Sequence, residues 1–168
     1  MNKMMLKPEV IAQLERVLSS VEQLLPKACK PVDWSNCSAA NWRRHSFSGF
    51  LEPVKVTDTT TLDELLGVED QKDIMIDNTR QFLAGLPANN SLLWGSRGTG
   101  KSSLVKALLN EYASEGLRVI QVEKEDLIYL SEIFAAVENE PYRFILLCDV
   151  LTFEVGQLSY TMLKSALD

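Results

Sequence analysis

Ser91-Leu92-Leu93-Trp94-Gly95-Ser96-Arg97-Gly98-Thr99-Gly100-Lys101-Ser102-Ser103-Leu104 is the stretch that decides the fold. Its centre, Gly95 to Ser102, fits GxxxxGK[ST]. Its flanks carry the context the pattern requires, an apolar run before the loop and an amphipathic run after it. Each fixed position has a chemical reason. Gly95 and Gly100 allow backbone angles and a close approach that a Cβ forbids. The loop amides then face inward as an anion-binding concavity, and the next helix adds its positive end at the same place. Lys101 reaches the β- and γ-phosphates, and the Ser102 hydroxyl becomes a Mg²⁺ ligand. A random chain of this length matches the pattern less than about 1% of the time. The expectation is a strand over 91–94, a phosphate-binding loop, and a helix over 101–115 stopped by Gly116.

Downstream, the alternation of element types continues. Leu117 to Val122 reads as a strand, and 126–138 as a helix with Leu127, Leu130, Phe134 and Val137 recurring at helical spacing. After Pro141, Arg143 to Asp149 reads as a strand buried on both faces, and 158–167 as a closing helix. Strand, helix, strand, helix, strand, helix is the pattern of a parallel sheet flanked by helices. Asp149 ends an apolar strand, where an acid can hold Mg²⁺ opposite Ser102, mostly through water. ATPases of this general design place a second carboxylate directly after the metal acid to polarise the attacking water. Here that position is Val150, which accepts no proton, and the next acid is Glu154. Glu154 is the candidate substitute base.

Upstream, Thr61-Leu62-Asp63-Glu64 matches a capping box opening a short helix with Leu62, Leu65 and Leu66 on its apolar side. Gly67 ends it, and a second helix runs from about Asp70 to Leu83. Residues 26–60 mix aromatics with turn formers and lack a clean period, which marks a linker or accessory region. Within it Trp42-Arg43-Arg44-His45 could touch a phosphate backbone, but packing within the chain is the favoured reading. Residues 8–25 form an amphipathic helix with the stripe Ile11, Leu14, Leu18, Val21 and Leu25, suited to packing or to a protein partner.

Composition excludes several classes. Of the 168 residues 46% are hydrophobic and 24% charged, which fits a soluble globular chain rather than a disordered one. The longest strictly apolar run, Phe144 to Cys148, falls far short of the ~18 residues a membrane helix needs. A net charge of -6 argues against a protein that coats nucleic acid. One His and three Cys without CxxC spacing argue against a zinc site. The N-terminus carries no apolar signal region, so the expected location is the cytoplasm.

The nucleotide can be narrowed. A GTPase would carry [NT]KxD and, after the magnesium strand, DxxG. Glu123-Lys124-Glu125-Asp126 has Glu at the deciding position and lies before that strand, and Asp149-Val150-Leu151-Thr152 lacks the Gly. Small kinases place the loop near the N-terminus.

Taken together, Gly67-Val68-Glu69-Asp70-Gln71-Lys72, Asn78-Thr79-Arg80-Gln81-Phe82, Ala88-Asn89-Asn90, Trp94 to Lys106 and Arg143 to Asp149 resemble the bacterial domain-of-unknown-function 815 family of AAA+ type P-loop ATPases. The similarity runs from roughly Phe50 to Leu163. The resemblance implies ATP and Mg²⁺ as ligands. It places Leu66, Gly67 and Val68 near the adenine, and Gly95, Ser96, Arg97, Gly98, Thr99, Gly100, Lys101, Ser102 and Ser103 around the phosphates. Asp149 becomes the magnesium acid. The family pattern has paired Asp where this chain has Asp149-Val150, which puts hydrolysis in question.

The expected fold class is therefore α/β, a parallel-sheet P-loop NTPase of AAA+ type stopping after the third core strand, with an N-terminal helical extension. Residues 1–60 form the helix and aromatic accessory segment, and 61–168 the front part of the nucleotide-binding domain. The expected activity is ATP binding, with Mg-dependent hydrolysis in a complete module, which would also be the homo-oligomeric form. The alternatives are a nucleotide-binding module without turnover and an adaptor acting through its N-terminal helix.

Overall fold

The computed structural model of the chain describes residues 13, 16, 17, 31–45, 48–56 and 58–149. The chain divides into two units, Met1–Lys30 and Pro31–Asp168. In the first unit Gln13, Arg16 and Val17 are helical and exposed. The apolar stripe expected there lies outside the described residues, as do Val150, Glu154 and the helix expected over 158–167.

Among the described residues, the second unit is built on a four-stranded, mostly parallel sheet in the order β2-β1-β3-β4. The strands are β1 (Ala39–His45), β2 (Ser48–Val54), β3 (Leu117–Val122) and β4 (Arg143–Cys148). The pair β1–β2 is an antiparallel hairpin, whereas β1–β3 and β3–β4 are parallel. The helices are α1 (Glu69–Leu83), α2 (Lys101–Tyr112) and α3 (Leu130–Val137). A 3-10 segment over Lys124–Tyr129 leads into α3, where a single helix over 126–138 was expected.

Side-chain alternation explains how both faces of the sheet are covered. Ile120, Val122, Phe144, Leu146 and Cys148 pack with Leu127, Leu130, Ile133 and Val137 of the α3 region, and with Trp34, Ala40 and Trp42. On the other face Leu117, Val119, Ile145 and Leu147 pack with α2 and α1 through Leu104, Val105, Leu108, Leu109, Tyr112 and Met75.

Residues 39–45 and 48–54 are not a linker, because they form two strands of the sheet. The hydrophobic period is masked there. Trp42 is buried at 3% exposure, and its ring occupies the space beside Gly49 so closely that a Cβ at Gly49 would stand 1.8 Å from it. Arg43 pairs with Glu52 at 3.1 Å. Arg44 lies 3.6 Å from Asp126 and 4.6 Å from the Tyr129 ring centroid. The Trp-Arg-Arg cluster is thus engaged within the chain.

Ser91–Trp94, expected as a strand, is not one. A strand needs a ladder, and among the described residues no strand lies beyond β4 for this segment to join. Leu92 and Trp94 stand 72% and 87% exposed, while Leu93 packs against the α1–α2 cluster. For the same reason β4 is half-buried, not buried on both faces, since among the described residues it is an edge of the sheet. The short helix expected over 62–66 is only a turn, closed by a Leu65 N–H bond to the Leu62 carbonyl. The Glu64 carboxylate does accept from the Thr61 amide at 2.8 Å, which is one half of the capping box.

The approach to α1 is clipped along α2. Asn110 donates to the carbonyls of Asp58 and Thr60, and Lys106 bonds the Asp58 carboxylate at 3.1 Å. Hydrogen bonds from Thr60, and then Lys106, hold the Asp58 carboxyl down at about 2. A depressed carboxylate stabilises the fold above its unfolded value and loses that effect as pH falls through its folded value. The stability difference between the natural chain and Asp58→Asn should therefore shrink from about pH 4 toward about pH 2. Denaturation midpoints across that range check it, and a constant difference would contradict it.

Candidate phosphate-binding site

The motif glycines have the geometry their positions demand. Gly100 precedes α2 at φ +84° with no side chain capping the helix, and Gly98 sits at φ +85°. An L side chain is strained at such angles. A Cβ at either position would meet no atom within 4 Å, so the two glycines border open space. The first-turn amides of α2 have no side chain capping them of the kind a Ser or Asp would provide. The helix dipole adds a partial positive charge there.

The loop is organised around its own lysine. Lys101 Nζ donates to the carbonyls of Gly95 at 3.0 Å and Ser96 at 2.7 Å, and lies 3.5 Å from Thr99 Oγ1. The Thr99 hydroxyl donates to the Ser96 carbonyl at 2.9 Å. Two carbonyl dipoles thus draw the ammonium into the loop. Ser96 and Arg97 are exposed, and Ser102 and Ser103 are half-buried on the first turn of α2.

Chain path decides where Asp149 stands. α2 runs into a short 3-10 segment, turns at Gly116 and enters β3. The helix therefore runs back along the strands, and its first turn lies at their C-terminal end. β4 is parallel to β3, so its C-terminal end is the same edge. Ile145 and Leu147 face α2, and alternation carried on past Cys148 puts Asp149, which is exposed, on the α2 side. The C-terminal edge of a parallel sheet is where ligands of such folds bind. Burial, helped by the charges of Glu123 and Asp149, pushes the neighbouring Cys148 thiol up to about 11, which disfavours its thiolate. No group of three or more His, Cys, Asp or Glu that could hold a metal occurs among the described residues. One acid and one hydroxyl suit Mg²⁺, which commonly takes few protein ligands plus substrate phosphates.

Leu66, Gly67 and Val68 form the turn before α1. Leu66 is 82% exposed, and the Gly67 amide donates to Glu69 Oε1 at 3.0 Å. Amide hydrogen bonds from Glu69 itself and Gly67 hold the Glu69 carboxyl below its usual range. At its other end, α1 meets the C-terminal end of α2 in a cleft lined by Arg80, Leu83, Glu111, Tyr112 and Glu115. Arg143, the first residue of β4, lies over the Phe82 ring and beside Gly85. Both helices therefore end at the edge where β3 and β4 begin.

Lys72, which is absent from the residues expected at the site, donates its amine to the carbonyls of Leu62 and Leu65. A lysine on a helix reads as a solvated surface charge, and no local pattern signals a contact seven or ten residues upstream.

A family model described as "Protein of unknown function (DUF815)" matches residues 35–168. The chain is 33% identical to the replication factor C large subunit of Ignicoccus hospitalis over 60 residues, 34% of this chain and 13% of that protein. It is 37% identical to the replication factor C large subunit of Nanoarchaeum equitans over 73 residues, 44% of this chain and 17% of that protein. It is 28% identical to an uncharacterized protein of Haemophilus influenzae over 104 residues, 62% of this chain and 43% of that protein. The chain thus spans less than half the length of these relatives. No solved structure matches it. Among the described residues no helix is long and apolar enough to cross a membrane.

Proposed function

The chain belongs to the DUF815 family, and we propose that its second unit is a P-loop module of AAA+ type that binds ATP. The observation that carries this reading is the open, positively polarised cradle at the head of α2, bordered by Gly98 and Gly100 and closed by Lys101. Local similarity to two replication factor C large subunits supports a nucleotide-binding reading.

In this reading the amides of the Gly95–Ser103 loop receive the phosphate oxygens, and Lys101 turns its ammonium from the loop carbonyls toward the β- and γ-phosphates. Arg97, exposed on the same loop, adds positive charge that offsets the net acidity of the chain. Ser102 and Asp149 would hold Mg²⁺, which neutralises charge on the phosphates when bound. Leu66–Val68 contact the base. Both helices begin away from the edge where they end, which favours that placement. Turnover is slow because Val150 supplies no carboxylate to orient water, and loss of such a group costs about 10²- to 10⁴-fold.

Trp94 is the reporter for the test, since it adjoins Gly95 and is exposed while Trp34 and Trp42 are buried. ATP should change its fluorescence saturably. Asp149→Asn should weaken binding with Mg²⁺ present and leave binding in EDTA unchanged. In single-turnover assays Val150→Asp should raise the slow hydrolysis. Absence of saturable binding would overturn the proposal, and equal loss with and without Mg²⁺ would remove Asp149 from the metal site.

A further inference from the structure

Resting on that base-side placement, we propose that Lys72 is a positioning residue, holding the Leu66–Val68 turn as an apolar platform for the adenine ring. Lys72 lies in the first turn of α1, where its amide donates to the Val68 carbonyl at 2.9 Å. Its half-buried side chain reaches back, and Nζ donates to the carbonyls of Leu62 at 3.2 Å and Leu65 at 2.9 Å. One ammonium thus ties both ends of the Leu62–Leu65 turn to the helix that follows it.

Two carboxylates brace the same segment. Glu64 accepts from the Thr61 amide at 2.8 Å and Glu69 from the Gly67 amide at 3.0 Å. Leu62 and Leu65 pack against the cluster that contains Leu104 and Val105 of α2. That anchors the turn to the helix whose head is the phosphate cradle. Leu66 alone among the three leucines is turned outward, 82% exposed. An exposed leucine is ordinary on a mobile loop. Here it is carried on a segment fixed by three side chains and two half-buried neighbours. Pre-set rigidity of that kind benefits a contact made with a ligand, because ordering is not lost on binding. The faces of a purine ring can be covered by the exposed Leu66 side chain, and the cradle would take the phosphates of the same ligand.

The proposal separates base from phosphate, and so does its test. Affinities for ATP and for inorganic tripolyphosphate are measured by calorimetry for the natural chain, Lys72→Met, Lys72→Arg and Leu66→Ser. Lys72→Met is expected to weaken ATP by about tenfold and to leave tripolyphosphate unchanged. Lys72→Arg, which keeps a charged donor, should recover most of the loss. Leu66→Ser alters an exposed side chain, so it keeps the test standing if Lys72→Met folds poorly, and it should reproduce the ATP-selective loss. Equal weakening of both ligands, or unchanged ATP affinity, would overturn the role of Lys72. A natural chain that binds tripolyphosphate as tightly as ATP would overturn the platform while leaving the phosphate loop intact. A natural chain that binds neither would overturn the nucleotide reading with it.

Discussion

Lys101→Ala is expected to lower ATP affinity by about 100-fold or more, since charge-assisted hydrogen bonds contribute about 1.5–3 kcal/mol each and the ammonium can make at least two to the phosphates. The same change removes the donor that now joins the Gly95 and Ser96 carbonyls. The loop should therefore lose both its charge and part of its shape. The fold should persist, because Lys101 is half-buried at the head of α2 and lies outside both apolar clusters. Competition against a fluorescent ATP analogue measures the affinity, and circular dichroism checks the fold. Superimposable titrations for mutant and natural chain would refute the proposed role.

Arg118→Met should destabilise the second unit by about 3–5 kcal/mol without selective loss of ATP affinity. Arg118 is buried at 6% exposure on β3. Its guanidinium donates through Nε and one terminal nitrogen to the Trp34 carbonyl at 3.0 and 2.8 Å. The other terminal nitrogen donates to the Ala113 and Leu117 carbonyls at 2.8 Å each. Its charge lies 3.9 Å from the Tyr142 ring centroid. Met nearly conserves the volume but removes four hydrogen bonds from a charged donor and takes both guanidinium donors from the Trp34 carbonyl. An orphaned buried group costs about 1–3 kcal/mol, whereas the Ala113 carbonyl keeps the Gly116 amide at 3.2 Å. The loss should also free the Trp34 segment, whose ring packs edge-on against Phe144 with centroids 4.8 Å apart. Urea unfolding followed through tryptophan fluorescence measures the shift. A change below about 1 kcal/mol would mean that the segment is held by packing alone.

Most of what was legible in the sequence is local. Lys101–Tyr112 is a helix because Leu104, Ala107, Leu108 and Tyr112 repeat at helical spacing. Leu117–Val122 and Arg143–Cys148 are strands because short apolar runs stand between turn formers. Gly98 and Gly100 adopt positive φ where the motif places glycine. Each of these outcomes follows from period, propensity or steric limits within a few residues, so one chain segment contains all the information.

Pairing partners and distant side-chain ties are different, because they depend on what the fold brings alongside. Ala39–His45 is a strand by virtue of lying next to β3, and its neighbour Gly49 makes room for the Trp42 ring. Ser91–Trp94 has a strand's composition and no ladder, so Leu92 and Trp94 stay exposed and only Leu93 packs inward. Arg118 meets the Trp34 carbonyl across 84 residues, and Lys72 reaches back to Leu62 and Leu65. Taken alone, the sequence determined the glycine loop, the helix behind it and the acid at the strand end, since steric and dipolar rules act between near neighbours. Only the tertiary structure decided which strands pair, which cations are buried, and how the Leu66 turn is held. A hydrogen bond between distant segments exists only after the packing of apolar faces has placed its two ends together.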